Sequence, residues 1–261
     1  MAKRDKRSIS VEVLRRLWSK YTQFRAGHLA PSTVKRDYRK IERRLKRLEQ
    51  SQTAGNAIAI RDWLLKEYSH ETARRTLVQL NACCKWAMES DLITRNPFAG
   101  VPGQLKRPRR SEKAWAAFTR EERDRIIQEF DIQHPQYGPW VKFLFWTGCR
   151  PEEAAALRWE HCAADCRELL IAEALPVDMH EAQSTKNYKT TRFPCNARLQ
   201  RLLREVEPYP RRRQDWILPA VKGGRFDYHN FQSRYWRPLV EDLHERGLVA
   251  FYLSQYHTRH T

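Results

Sequence analysis

Arg150, Lys186 and Arg259 each stand where a loop meets a regular element, and together they form a set suited to phosphoryl transfer. Such a reaction builds charge on non-bridging phosphate oxygens and leaves an alkoxide that must be protonated. Two guanidinium forks grip the oxygens, while a lysine, whose proton is easier to surrender, suits the acid role. Singly, each of these residues also reads as an ordinary surface charge. The run Thr147-Gly148-Cys149-Arg150-Pro151-Glu152-Glu153 gives the first arginine a setting: a glycine stop, then a proline restarting a helix at its first position. There, free backbone donors and the guanidinium can converge on one anion. Glu153, in the first turn, complements the helix dipole and can hold Arg150 in register.

Other groupings carry less. His161-Cys162 with Cys166 could open a metal site, but no second ligand pair at zinc spacing follows, so no metal is expected. Lys222-Gly223-Gly224-Arg225 reads as a turn, because no P-loop or dinucleotide pattern surrounds it. Trp140, Trp146, Trp159 and Trp236 read as core rather than as base-stacking platforms. The six cysteines are irregularly spaced in a chain rich in core-forming residues, which argues against a disulfide framework.

The partner is written in the charge. The 261 residues carry a formal charge of +18, and residues 1–110 hold 26 Lys and Arg against 10 Asp and Glu, whereas residues 111–261 hold 23 against 21. A basic amino-terminal module joined to a nearly neutral one suits a clamp on a polyanion; a solvated charged surface is the plainer alternative. No apolar run approaches the roughly 18 residues of a membrane span, and no apolar stretch follows the charged opening. The reading is a cytoplasmic, nucleoid-associated protein without a cleaved signal.

The elements that position these residues follow from apolar spacing. Ser32-Thr33 reads as a cap for a helix whose Val34, Tyr38, Ile41, Leu45 and Leu48 fall on one face. Its other faces carry eight cations, among them Lys35, Arg36, Arg39, Lys40, Arg43 and Arg44, free to meet phosphates. Helices are expected over 57–67 and 71–89, stopped by Asn96-Pro97. Residues 101–113, with Lys106, Arg107, Arg109 and Arg110, read as a basic linker that could lie along a nucleic-acid backbone. Thr119-Arg120-Glu121-Glu122 is a capping box opening the second module. It continues as an apolar helix ending at Thr147-Gly148, short strands near 169–172 and in 185–194, a helix capped by Asn196, and a helix over 231–246.

The box around Arg150 resembles the Thr-Gly-x-Arg-x-x-Glu box of tyrosine recombinases, the phage-integrase family. Thr185 to Pro194 is similar to the family's lysine-bearing hairpin, and Tyr256-His257-Thr258-Arg259-His260-Thr261 to its second box, usually His-x-x-Arg-His-Thr. Pro31-Ser32-Thr33-Val34, Lys85-Trp86-Ala87, Leu92 to Pro97 and Phe118 to Glu122 extend the likeness over about residues 10–261. The resemblance implies Lys186 as general acid, with Lys189 second, and Arg259 as the second phosphate-gripping arginine, with His260 supporting. Tyr256 falls at the histidine position. Its phenol can donate to phosphate but, with an ordinary pKa of about 10, shuttles protons less readily near neutrality.

The implied fold is mainly α (α+β): a helical, SAM-like core-binding domain over residues 8–100, the linker 101–113, and a mixed catalytic domain with a small antiparallel sheet over 114–261. The implied activity is site-specific recombination of duplex DNA at attachment sites through a 3′-phosphotyrosyl link, without cofactor or small-molecule substrate, in a homo-tetramer. In the family a further box and the nucleophilic tyrosine follow the second arginine. This chain ends two residues after Arg259, so the reading expects an incomplete catalytic domain that binds DNA without forming the covalent link unless a partner subunit supplies the tyrosine. Tyr188, Tyr228, Tyr235 and Tyr252 precede the second box and fit no nucleophile position. The rival readings are a non-catalytic DNA-binding remnant and a general RNA or acidic-surface binder.

Overall fold

The structure is a computed structural model that describes residues 7–51, 53, 55–105, 116–176, 179, 182–184 and 190–261. The chain divides into two units, residues 1–109 and 110–261, each with its own apolar core.

Among the described residues the first unit has four α-helices. α1 (Val11–Ala26) is capped by the Ser10 hydroxyl, which accepts from the Val13 N–H, and buries Leu14, Leu17, Trp18 and Tyr21. The 3-1-3 spacing of those four residues was available in the sequence. α2 (Arg39–Gln50) buries Ile41, Leu45 and Leu48. It is preceded by a π-helical turn, Thr33–Tyr38, that buries Tyr38 but leaves Val34 partly exposed. Ser32 has helical dihedrals and makes no capping bond, so the expected cap is absent. The wider turn rotates Val34 out of the stripe that a regular helix would have given it. α3 (Ala57–Glu67) and α4 (His70–Glu89) start on the side chains of Asn56 and Ser69. The core continues through Phe98 to Val101 and Leu105, all buried. The stretch expected to be linker from residue 101 is therefore packed as far as Leu105, because its two apolar side chains fill the end of this core. Lys106, Arg107, Arg109 and Arg110 lie outside the described residues.

In the second unit the Thr119 capping box forms as expected. Thr119 Oγ1 accepts the Glu122 N–H at 3.2 Å, and Glu122 Oε2 accepts the Thr119 N–H at 2.8 Å, opening α5 (Arg120–Gln133). α6 (Gly138–Thr147) is almost wholly buried and stops at Gly148, whose φ of 62° is the left-handed conformation that glycine supplies without a Cβ penalty. α7 (Pro151–Ala154) restarts on Pro151. β1 (Glu168–Ile171) pairs antiparallel with β4 (Thr191–Pro194), Leu169 opposite Phe193; β2 (Glu173–Ala174) pairs antiparallel with β3 (Gln183–Ser184). α8 (Ala197–Val206) begins on the Asn196 side chain. Last come α9 (Tyr228–Phe231), a second π-helical turn at Gln232–Trp236, α10 (Arg237–Glu245) and a terminal 3-10 turn at Gln255–His260. Lys222 to Arg225 is a turn: the Gly223 N–H donates to Ala220 and Gly224 accepts from the Ala220 N–H.

Candidate phosphate-binding site

Arg150 occupies the extended residue immediately before α7, at φ −67° and ψ 145°. Its backbone N–H donates to Glu153 Oε2 at 3.0 Å, and its guanidinium donates to Glu153 Oε1. One carboxylate thus holds the residue at both ends. Glu153 is only 6% exposed, and a buried carboxylate requires charged partners or strong donors. The second partner comes from more than a hundred residues away in sequence. Arg259 Nη1 lies 3.7 Å from Glu153 Oε2 and donates to the Gly148 carbonyl at 3.0 Å. Gly148 lies in van der Waals range of the Arg259 backbone, 3.8 Å from where a Cβ would stand, and its φ of 62° is what favours glycine there.

Tyr256 lies beside Arg150 at the edge of the cluster. The Glu153 bond, with a smaller contribution from the neighbouring Tyr256, raises the Arg150 pKa against the opposing effect of burial, so its charge is secure at any working pH. Cys149, buried beside the three charged groups, has its thiol pushed up to about 12, chiefly by burial. It is an inert packing residue here. Both guanidiniums keep an open side, at 29% exposure for the Arg150 side chain and 39% for Arg259. Two cations facing solvent and tied from behind by a single acid leave an excess of positive charge for one anion.

Four of the expected site residues, Arg150, Glu153, Tyr256 and Arg259, are therefore brought together. His260 is exposed and approaches the cluster through its ring, 6.2 Å from that of Tyr256. Lys186 and Lys189, and with them Tyr188, lie outside the described residues. Tyr228 is buried, Tyr235 packs at 4.4 Å against Tyr137, and Tyr252 accepts a hydrogen bond from Gln232; all three have packing roles. The sequence reading missed the support beneath the terminal turn. Gln255 and Thr258 are buried at 4% and 1%, and their signal was a pair of polar residues at a three-residue interval between charged and aromatic neighbours.

In the first unit, Lys35, Arg36, Arg39, Lys40 and Arg43 stand exposed on the π-helical turn and α2. Arg44 differs from its expected outward position. Its Nη1 donates to Thr76 Oγ1 at 3.0 Å, its guanidinium lies 5.2 Å over the Tyr68 ring, and burial lowers its pKa. It lines a cleft of about 490 Å³ between α2 and α4, shared with Lys40, Arg74, Arg75 and Gln79. The i+3 step from Ile41 carries it toward α4 rather than to solvent. Among the described residues no group of His, Cys, Asp or Glu is placed to hold a metal, and no helix is long and apolar enough to cross a membrane.

No protein-family model matches the sequence, and no curated protein does. Solved structures do match its shape. The Tn1549 transposon integrase in complex with a circular intermediate DNA superposes with a TM-score of 0.77 at 17% identity, covering 97% of this chain and 85% of that one. Lambda integrase bound to DNA gives 0.66 at 13% identity, covering 94% and 83%. A lambda integrase tetramer bound to a Holliday junction gives 0.65 at 13%, covering 94% and 70%. The chain has the tyrosine-recombinase fold. The match runs through both units, and the tyrosine-recombinase fold accounts for a helical module preceding a mixed one with short antiparallel strands.

Proposed function

We propose that the chain binds duplex DNA as part of a site-specific tyrosine recombinase. The observation that carries this reading is the convergence of Arg150 and Arg259 on the single buried carboxylate of Glu153. On this reading the two guanidiniums take the non-bridging oxygens of one backbone phosphate, and Glu153 prevents their mutual repulsion from opening the pocket. Tyr256 donates its hydroxyl hydrogen to the same phosphate, His260 supports it, and Lys186 protonates the leaving 5′ oxygen. With charge neutralised by arginine and the proton supplied by lysine, the scheme calls on no metal or nucleotide. The attacking phenol of a phosphotyrosyl mechanism is a role that none of Tyr228, Tyr235 and Tyr252 fills from its packed position.

The exposed cations of the first unit, Lys35, Arg36, Arg39, Lys40 and Arg43, supply sequence-independent affinity for the duplex, and the basic run Lys106, Arg107, Arg109 and Arg110 extends it. Working assemblies on paired attachment sites are homo-tetramers, as in the lambda integrase structure on a Holliday junction. Selection from a random duplex pool at about 200 mM salt tests the reading, since non-specific binding falls by orders of magnitude there. The expected result is a recovered motif whose footprint weakens in Arg150→Ala and Arg259→Ala. Recovery of unrelated sequences, unaffected by either substitution, would favour a general polyanion binder.

A further inference from the structure

The 3-10 segment Gln255–His260 is held internally by i to i+3 bonds of poorer alignment than those of an α-helix. It exposes Tyr256, Arg259 and His260 on its outer side. Its inward residues are not the apolar pair that ordinary packing would use. Gln255 is buried, and its polar groups are engaged: Oε1 accepts the Trp140 indole N–H at 3.1 Å, and Nε2 donates to the Tyr228 carbonyl at 2.7 Å. Its backbone N–H donates to Gln232 Oε1 at 2.9 Å, and its carbonyl accepts the Thr258 hydroxyl at 2.8 Å. Gln232 sits in the second π-helical turn and donates in turn to the Tyr252 hydroxyl at 2.9 Å.

Apolar contacts resist separation but permit a short turn to roll about its own axis, whereas hydrogen bonds in several directions fix that rotation. Rotation matters at Arg259, which reaches the pocket through one bond to Gly148 and one ion pair to Glu153. We propose that Gln255, held by Trp140, Tyr228 and Gln232, is the positioning residue that aims Arg259 at the phosphate. The inference rests on the phosphate-pocket reading for its consequence, though not for its geometry.

The test is arginine side-chain NMR of the ¹⁵N-labelled chain, with inorganic orthovanadate as the tetrahedral anion. In the free protein the Arg259 Nε–H is ordered by ¹⁵N relaxation, and on titration the Arg150 and Arg259 signals move together. Gln255→Met keeps the volume but removes both amide bonds; Arg259 becomes mobile, Arg150 stays ordered, and vanadate affinity falls about tenfold, the loss of one charge-assisted bond. Gln232→Leu leaves the Trp140 and Tyr228 bonds in place and gives a smaller change of the same kind, which preserves the test should Gln255→Met fail to fold. Arg259 order unchanged in these variants overturns the proposal. Wild-type arginines that ignore vanadate refute the pocket reading instead, and the relaxation data still decide the positioning role.

Discussion

Arg43 on α2 stands exposed on a helical face, whereas Arg150 at the start of α7 is clasped through both its backbone and its guanidinium by one buried carboxylate. The same residue type is thus used in two ways. In the first unit the cations are numerous; Arg44 and Arg74 are held by Thr76 and Glu71, but Lys35, Arg36, Arg39, Lys40 and Arg43 stand exposed, an arrangement that attracts a polyanion at long range without fixing any one of its atoms. In the second unit charge is nearly balanced, yet two guanidiniums share one acid and keep an open side. On the proposed reading, excess charge sets how strongly the chain is drawn to a phosphate backbone, and the paired arrangement sets which phosphate is held and in what orientation. Arg44 marks the boundary between the two uses, because its contacts with Thr76 and Tyr68 begin to fix it as Glu153 fixes Arg150.

The largest expected break in this contrast comes from Glu153→Ala. It leaves two guanidiniums facing each other without their common acid, and urea denaturation should show a loss of about 3 kcal/mol, in the range for breaking a buried ion pair. Equal loss from Glu49→Ala, whose carboxylate pairs with Arg15 at the surface, would remove the distinction between the units.

Next in size is simultaneous Ala substitution of Arg36, Arg39, Lys40 and Arg43. Affinity for a duplex of arbitrary sequence at low salt should fall about 100-fold, and the log–log salt slope by about 3, since each phosphate no longer neutralised removes nearly one unit. Stability should hardly change, because solvated cations contribute little to it. Arg259→Ala should lower the slope by only about one and weaken binding to about the same degree for every sequence, as the loss of a single phosphate contact requires.

A smaller effect is expected at Thr119→Ala, which removes one of the two capping-box bonds and should cost about 1 kcal/mol, read as a lower urea midpoint. The effect reaches toward the site, since Glu122 of that box also accepts the Ala250 N–H at 2.6 Å, on the approach to the terminal turn. Smallest is thiol reactivity. Burial pushes Cys84, Cys149 and Cys162 up to about 12 and Cys195 to about 11. The thiolate fraction at pH 8 is then about one part in a thousand or less. Iodoacetamide should label none of these four in the native chain and all of them in urea, and rapid native labelling of Cys149 would mean an open pocket floor.

Much of this arrangement was legible in the residues, and the parts that were not share a cause. Local signals read correctly: the Thr119 box, Asn196 as a cap, Gly148 as a stop and the stripe Ile41, Leu45, Leu48 each depend on neighbours within one or two helical turns. Arg150 with Glu153 falls in this class, at an i to i+3 spacing on one short helix. The π-helical turn at Thr33–Tyr38 did not, because Val34 satisfies the stripe on paper, whereas the packing of Tyr38 against Trp18 and Tyr21 of α1 is a tertiary contact that the local pattern does not announce. Val101 and Leu105 were hidden by their proline and glycine neighbours, although the core of the first unit takes both. Gln255 was invisible for the deepest reason. Its partners Trp140 and Tyr228 lie 115 and 27 residues away, and no sequence period announces a hydrogen bond of that reach.

The claim on which the account turns is that Arg150 and Arg259 serve one anion together. Anomalous diffraction from crystals soaked in tungstate, a tetrahedral dianion, tests it directly. A single strong peak within hydrogen-bond distance of both guanidiniums, absent in Glu153→Ala, is the predicted result. Separate peaks at the two arginines, or density confined to the cations of the first unit, would contradict it.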